Sequence, residues 1–454
     1  MAAGAAMALV AGLLVLSVAG PTDLSTEDAG TTSTEPSVQV LPWPSTLTTR
    51  PTPPVEEGAS SRPGPEQVEP GDYPPLIQGR TFEVASIDQW WQALGAVQPG
   101  DGIVLTATIR QPLSYHGSRA GSDQTGADGT ATRPITITSN EGVWIDPGNQ
   151  GNNIGGFDLV GAVHVDLVGI RVRNSQFGIR IHNSTGSESR PLLTAHNVVE
   201  DTGHAGLHIA GGPGTESSWV TVRNNQIRRT GRTANRYGEG VYLGYGSEAW
   251  VDTTNHVTVT HNDISETGAE GIDIKPGTHD ILVESNTIHD LAPIDGGAIS
   301  ALYVGDAPNP DRDTFSNIII RNNRIWNQNL NGEAGSNDWA IWIGHGGVNV
   351  EDNVIWGLRD DPDRARAIRI RALAEFGPHP IRIVDNVFWT ATGWSAEGDP
   401  SGAGNVQAAD NRGPAGAQGI EIEVAAGGDQ PTVGLTGPAD DGDGPGSLVL
   451  AITR

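Results

Sequence analysis

Short runs in which apolar and polar residues alternate recur along most of this chain. Alternation with a period of two marks strands that bury one face. Two further signals ride on it. An asparagine recurs in the frame V-x-x-N-x-I at Asn197, Asn225, Asn262, Asn286, Asn323, Asn353 and Asn386, with Asn174 read as an earlier member. After it comes a small–apolar–x–apolar run: Gly178–His182, Gly206–Ala210, Gly240–Gly244, Gly271–Lys275, Ala340–Gly344 and Ala367–Arg371. A divergent copy falls within Gly296–Leu302. From Asn197 onward the asparagines lie 24 to 37 residues apart.

Ahead of the repeats, Thr81–Ile109 predicts a strand, then a short helix starting near Ser86 that carries Trp90, Trp91, Leu94 and Val97, then the strand Ile103–Leu105. Such an amphipathic helix would cover the open end of a core. Ser114–Thr132 reads as a Gly/Ser/Asp loop, and alternation resumes at Pro134–Ser139.

Strands this short bury nothing alone, so the repeat predicts coils stacked around one continuous core. One asparagine per coil at a turn would form a ladder inside the stack. The combination resembles the right-handed parallel β-helix superfamily of pectate lyases over Ile135 to Trp394. The resemblance implies an all-β, single-stranded right-handed parallel β-helix, a solenoid of about eight coils with an N-terminal capping helix. Residues 79–400 are assigned to it, and 401–454 to a Gly/Asp-rich segment that closes the stack or forms a small cap.

Composition narrows the setting. Residues 1–20 are a small-residue apolar run ending in Ser17-Val18-Ala19, read as an export signal or an anchor, and 21–78 is a tether of Pro, Ser, Thr and Glu with little to bury. A secreted or cell-surface monomer is expected, without stable membrane insertion. The formal charge of −27 argues against nucleic acid, and the absence of cysteine excludes disulfides and thiolate metal sites. The scattered histidines form no compact zinc pattern.

Aligning the second strand of each coil stacks one outward residue over the next: Arg180, His208, Tyr242, Asp273, a position near Ser300, Trp342 and Arg369. The next outward column runs His182, Ala210, Gly244, Lys275, Gly344 and Arg371. Longer insertions flank this strand on both sides, and loops raised along a stack of coils make a groove suited to a linear polymer. Arg180, His182, His208, Trp342, Arg369 and Arg371 are the expected substrate contacts. A further column (Glu200, Arg228, Ser265, His289, Trp326, Trp356, Trp389) reads as an aromatic ladder covering a turn rather than a sugar platform.

Lys275 is the only lysine among 27 basic residues, and it shares a face with Asp273. An ammonium can be tuned to lose its proton near neutrality, whereas a guanidinium cannot. Glu239 and Glu270 hold the same place in adjacent coils, and with Asp273, and Asp295 one coil on, they offer hard oxygen ligands for Ca²⁺. The segments E-G-V-Y-L-G-Y-G-S and E-G-I-D-I-K resemble the strands around the catalytic lysine of the β-helix alginate lyases and chondroitinase B. That resemblance implies a lyase acting on an acidic, uronate-containing polysaccharide by β-elimination, with Lys275 as base, Asp273 and Tyr242 beside it, and Glu239, Glu270 and Asp273 as Ca²⁺ ligands, to which the coil spacing adds Asp295. A non-catalytic adhesive β-helix protein is the alternative from another class. A glycoside hydrolase is a third: Gly344-His345-Gly346 and Arg369-Ile370-Arg371 echo polygalacturonase motifs, without the paired acids that should precede them.

Overall fold

The computed structural model describes residues 77–423, except 122–124, 149–153, 234–237, 247–250, 292–298, 306–316, 328–337, 359–364, 371–379, 390–393, 398–405, 410 and 412–419. The chain winds as a right-handed parallel β-helix whose strands form three parallel sheets. Among the described residues the first sheet has twelve strands, from Thr81–Val84 to Val406–Ala409. The second has eight three-residue strands, from Arg171–Arg173 to Val387–Trp389. The third has eleven, from Leu113–His116 to Ile420–Glu423. No helix among the described residues is long and apolar enough to cross a membrane.

Alternation sets which side chains enter the core. In the second sheet Val199, Ile227, Ile264, Ile288, Ile325 and Ile355 lie in register over one another, all fully buried. Burial of each such side chain contributes about 1.5–3 kcal/mol. The small residue of the repeat sits against this column. A Cβ on Gly271 would lie 2.5 Å from Ile288 Cγ2 and 2.7 Å from the Ala301 carbonyl oxygen, and one on Gly206 or Gly240 would lie 2.4 Å from the matching isoleucine.

The asparagine ladder is present and closes the backbone account at one corner. Each asparagine Oδ1 accepts the backbone N–H of the asparagine one coil earlier: Asn197 from Ile170, Asn225 from Asn197, Asn262 from Asn225, and so on, at 2.9–3.1 Å, up to Asn411. The side-chain amides donate to carbonyls such as Val259 O and Val283 O. Buried donors and acceptors are thus paired within the stack. The residue before each asparagine from Asn197 to Asn386 takes a left-handed conformation, for example His261 (φ 55°) and Ser285 (φ 56°).

Three readings shift. Asn174 is not a rung: Ile170 occupies that position, and Asn174 (φ 53°) sits at the far end of its strand, donating to Asp146. Asn411 is a rung beyond those read from sequence. The Ser114–Thr132 loop begins later, because Leu113–His116 is a strand paired with Gly155–Val160. The early helix spans Ile87–Ala96, with the Ser86 hydroxyl accepting the Gln89 N–H, and Trp90 packs edge-on to Phe157 with centroids 5.8 Å apart. Residues 1–76 and 447–452 lie outside the described residues.

Candidate functional site

The outward face of the third sheet is built strand on strand, and its register fixes the column as Asp158, Arg180, His208, Tyr242, Asp273, Tyr303, Trp342 and Arg369. The divergent repeat copy is therefore Ala301–Val304 rather than Gly296–Leu302, and Tyr303, not Ser300, stands beside Asp273. Ser300 lies one coil above Glu270, in the column that continues to Trp339.

At the centre, Lys275 Nζ is 2.6 Å from Asp273 Oδ2. Nζ also lies over the Tyr242 ring at 4.9 Å and near the Tyr303 ring at 5.7 Å. Gly244, at φ +81°, turns the chain away beside Lys275: a Cβ there would be 3.3 Å from the lysine Cβ. Gly246 follows, its N–H 3.4 Å from the Tyr242 hydroxyl that accepts it. The lysine side chain is 22% exposed and Asp273 only 2%, so the carboxylate is covered while the amine stays within reach of solvent.

Beside it, Glu239, Glu270 and Asp273 bring carboxylate oxygens within 4.8 Å of one another. Burial and the neighbouring Asp273 push Glu239 up to about 7 and Glu270 up to about 8, and burial raises Asp273 despite its lysine. For Lys275, burial works against the charge, but Asp273, Tyr242 and Glu239 outweigh it and hold the ammonium well above its ordinary range. Burial likewise raises the Tyr242 phenol, which stays protonated through neutrality. Asp273 Oδ1 is buried with no hydrogen-bond partner. Three crowded carboxylates and an orphaned oxygen fit a hard divalent cation, whose oxygen ligands come from groups of this kind.

On the N-terminal side, charge is cancelled. Arg180, one of the expected substrate contacts, donates to Asp158 through Nε at 2.7 Å and again through Nη2, so its charge is compensated within the sheet. His182 Nε2 is 3.3 Å from His208 Nδ1, and His208 Nε2 is 3.2 Å from the Gly244 carbonyl. That carbonyl can only accept, so His208 carries its proton on Nε2 and receives one from His182. Burial lowers both imidazoles, His182 to about 4, and keeps them neutral.

On the C-terminal side the Arg369 guanidinium lies over Trp339 at 4.0 Å and Trp342 at 4.7 Å, and Trp342 is tilted against Tyr303 at 5.9 Å. Trp339 and Tyr303 were missed in the sequence; in-register pairing with Glu270's column and Asp273 would have found them. Arg371 and Asp295 lie outside the described residues. His345 is buried, with its Nδ1 2.8 Å from the Gly346 carbonyl, and burial lowers it to about 4.

The column on the second sheet is a covered ladder. Trp326 and Trp356 stack with centroids 4.6 Å apart and are 1% and 5% exposed, so they form no sugar platform.

The fold defines a right-handed parallel β-helix protein, with polar and aromatic side chains stacked along the outward face of one sheet. A family model described as a right-handed beta helix region matches residues 155–355. Among solved structures, an alginate lyase from Paenibacillus sp. str. FPU-7 is 20% identical, with 76% of this chain and 99% of that chain covered and a TM-score of 0.52. The Streptococcus pneumoniae surface adhesin PfbA (12% identity, 72% and 84% covered, TM-score 0.38) and the pectate lyase Pel9A (12%, 80% and 83%, 0.37) share the architecture more loosely. At these identities the likeness is one of fold. No curated protein matches the sequence.

Proposed function

We propose that this protein is a secreted or surface-held polysaccharide lyase that cleaves an acidic, uronate-containing polymer by β-elimination. The observation that carries the reading is the lone lysine, half-buried on the outward face of the third sheet against Asp273, with two tyrosine rings near its ammonium. β-Elimination removes the proton α to the uronate carboxyl; that C–H electron pair becomes the new C=C bond as the glycosidic C–O bond breaks, and the departing oxygen takes a proton. Lys275 is assigned the abstraction, and Tyr242, a phenol kept protonated by burial and within reach of the same groove segment, the donation.

Lys275 must be neutral to act, and Asp273 alone holds it charged. Glu239, Glu270 and Asp273 would hold Ca²⁺. Bound there, the cation would supply positive charge that offsets these carboxylates and lowers the lysine's affinity for its proton. Asp273 orients the amine, which also lies near the Tyr242 and Tyr303 rings. The Paenibacillus alginate lyase, to which this chain is similar in fold, agrees with this substrate class.

The test is the absorbance of unsaturated uronides released from alginate, pectate and glycosaminoglycans, with Ca²⁺ and with chelator, for the wild type and Lys275→Ala. A rise on one polymer that disappears in the variant is expected. No rise on any of them from folded protein refutes the lyase assignment for these substrates.

A further inference from the structure

His208 stands in register with Tyr242, one coil before the phenol to which proton donation is assigned, and the elimination gives it no part. It is 3% exposed, stacked on Phe177 with centroids 5.7 Å apart and edge-on to Tyr242 at 4.8 Å. A phenylalanine would serve packing as well, and burying two ring nitrogens costs free energy unless each is paired. Both are paired. Nδ1 accepts from His182 Nε2 at 3.3 Å, and Nε2 donates to the Gly244 carbonyl at 3.2 Å. Burial keeps both imidazoles uncharged, so the pair ends in one directed N–H rather than in a charge.

Gly244, at φ +81°, is where the chain leaves the strand Val241–Leu243, and its own N–H donates to the Ile209 carbonyl at 2.8 Å. With that N–H and the Gly244 carbonyl both held, the peptide planes entering and leaving the residue are fixed. Two residues on, the Gly246 N–H reaches the Tyr242 hydroxyl oxygen at 3.4 Å. A Cβ on Gly246 would lie 3.3 Å from that oxygen and 3.7 Å from Lys275 Cε, so the turn lies over both groups assigned to the reaction. Conjugation keeps a phenolic O–H in the plane of its ring, with two orientations. A backbone N–H on one side of the oxygen leaves the other side for the proton.

We propose that His208, oriented by His182, braces the Gly244–Gly246 turn and through it directs the Tyr242 O–H toward the departing oxygen, as a positioning residue for the proton donor. The proposal rests on the lyase reading for what the phenol does, but the brace itself is observable without turnover.

The experiment compares His208→Phe, which keeps a ring and loses the donor, with His208→Gln, which loses the ring and keeps an amide N–H the same number of bonds from Cα. Thermal midpoints establish folding, and His208→Leu takes the place of the phenylalanine variant if that one does not fold. The first readout is kcat on the polymer that the wild type cleaves, and on its oligomer bearing fluorine in place of the scissile oxygen, where fluoride departs without taking a proton. His208→Phe should lower kcat on the polymer roughly tenfold or more with little change in KM, and leave the fluoride substrate within about twofold. His208→Gln should restore most of the loss. The second readout is the NMR signal of tyrosine labelled with carbon-13 at Cζ, identified for Tyr242 by its disappearance in Tyr242→Phe. It should move in His208→Phe and stay in His208→Gln, the reverse of what a ring-current effect would give. Equal losses on the two substrates, or a Tyr242 signal unmoved in His208→Phe, overturn the brace. A signal that moves in a protein whose wild type releases no unsaturated product upholds the brace and refutes the lyase instead.

Discussion

Two outward faces of the same stack carry charged residues at the same coil spacing, and they resolve that charge in opposite ways. On the second sheet every charge in the column has an opposite partner: Arg228 forks onto Glu200, Arg229 reaches Asp201 at 2.8 Å, and His289 sits between Asp263 at 3.1 Å and Asp290 at 2.7 Å with its ring 4.5 Å from that of Trp326. On the third sheet, three carboxylates share one lysine, and one buried carboxylate oxygen has no partner. The scaffold is common to both, so scaffold demands do not explain the crowding. Stability is served where charges are matched; where like charges are packed together, their protonation states are open to change by a ligand.

The comparison breaks most sharply at Lys275. Lys275→Arg keeps the positive charge but cannot give up a proton, and elimination should fall at least about 10³-fold. Initial rates of absorbance change measure this, with the thermal midpoint showing retained folding. Activity close to wild type in Lys275→Arg would remove the base assignment.

Asn286→Ala tests the matched scaffold itself. It deletes the acceptor of the Asn262 N–H and the donor to Val259 O, leaving buried backbone groups unpaired. A loss of about 3–5 kcal/mol is expected in denaturant unfolding. A loss under about 1 kcal/mol would mean water replaces the rung.

His289 provides a pH handle on the paired face. Burial works against its charge, but Asp263 and Asp290 prevail and raise it to about 9. A raised folded-state value stabilises below the unfolded value near 6.5, and that contribution disappears as pH rises through about 9. His289→Gln should therefore cost about 2 kcal/mol at pH 6 and almost nothing at pH 10. A pH-independent difference would show that the imidazole acts through stacking alone.

The smallest effect has the opposite sign. Glu270 is raised to about 8, first by burial and then by Asp273, so the folded state binds its proton more tightly than the unfolded chain does, and stability is lost as pH rises from the ordinary carboxylate range through about 8. Glu270→Gln should stabilise metal-free protein by about 1 kcal/mol above pH 8 and abolish any rise in thermal midpoint with Ca²⁺. A Ca²⁺-induced rise equal to that of wild type would remove Glu270 from the proposed ligands.

Much of this was legible in the chain. The asparagine frame and the small–apolar–x–apolar run gave the coils, because each marks a corner where one residue type solves a local problem: an amide pairs backbone across coils, and a glycine or alanine lets one sheet approach another. The stacking of Tyr242, Asp273, Trp342 and Arg369 followed from register. Where the reading slipped, the signal was ambiguous or distant. Gly296–Tyr303 holds two overlapping small–apolar runs, and only pairing with Ile272 selects Leu302. The Asp158 partner of Arg180 was not read, because it lies 22 residues earlier, in Gly156-Phe157-Asp158-Leu159, which carries the same run but not the asparagine that would have flagged it. Protonation states were beyond sequence reasoning, since they depend on how closely Glu239 and Glu270 approach.

The rungs of the asparagine ladder are spaced from 24 to 37 residues, yet their hydrogen bonds hold at 2.9–3.1 Å. Length is thus absorbed between rungs without being transmitted along the stack. Each coil is a cassette: the stretch between rungs can be lengthened or shortened while the ladder, and the strand that carries Lys275, keep their register. Sequence can then be gained, lost or exchanged between rungs with no retuning of the ladder, and the same operation is open to the protein engineer.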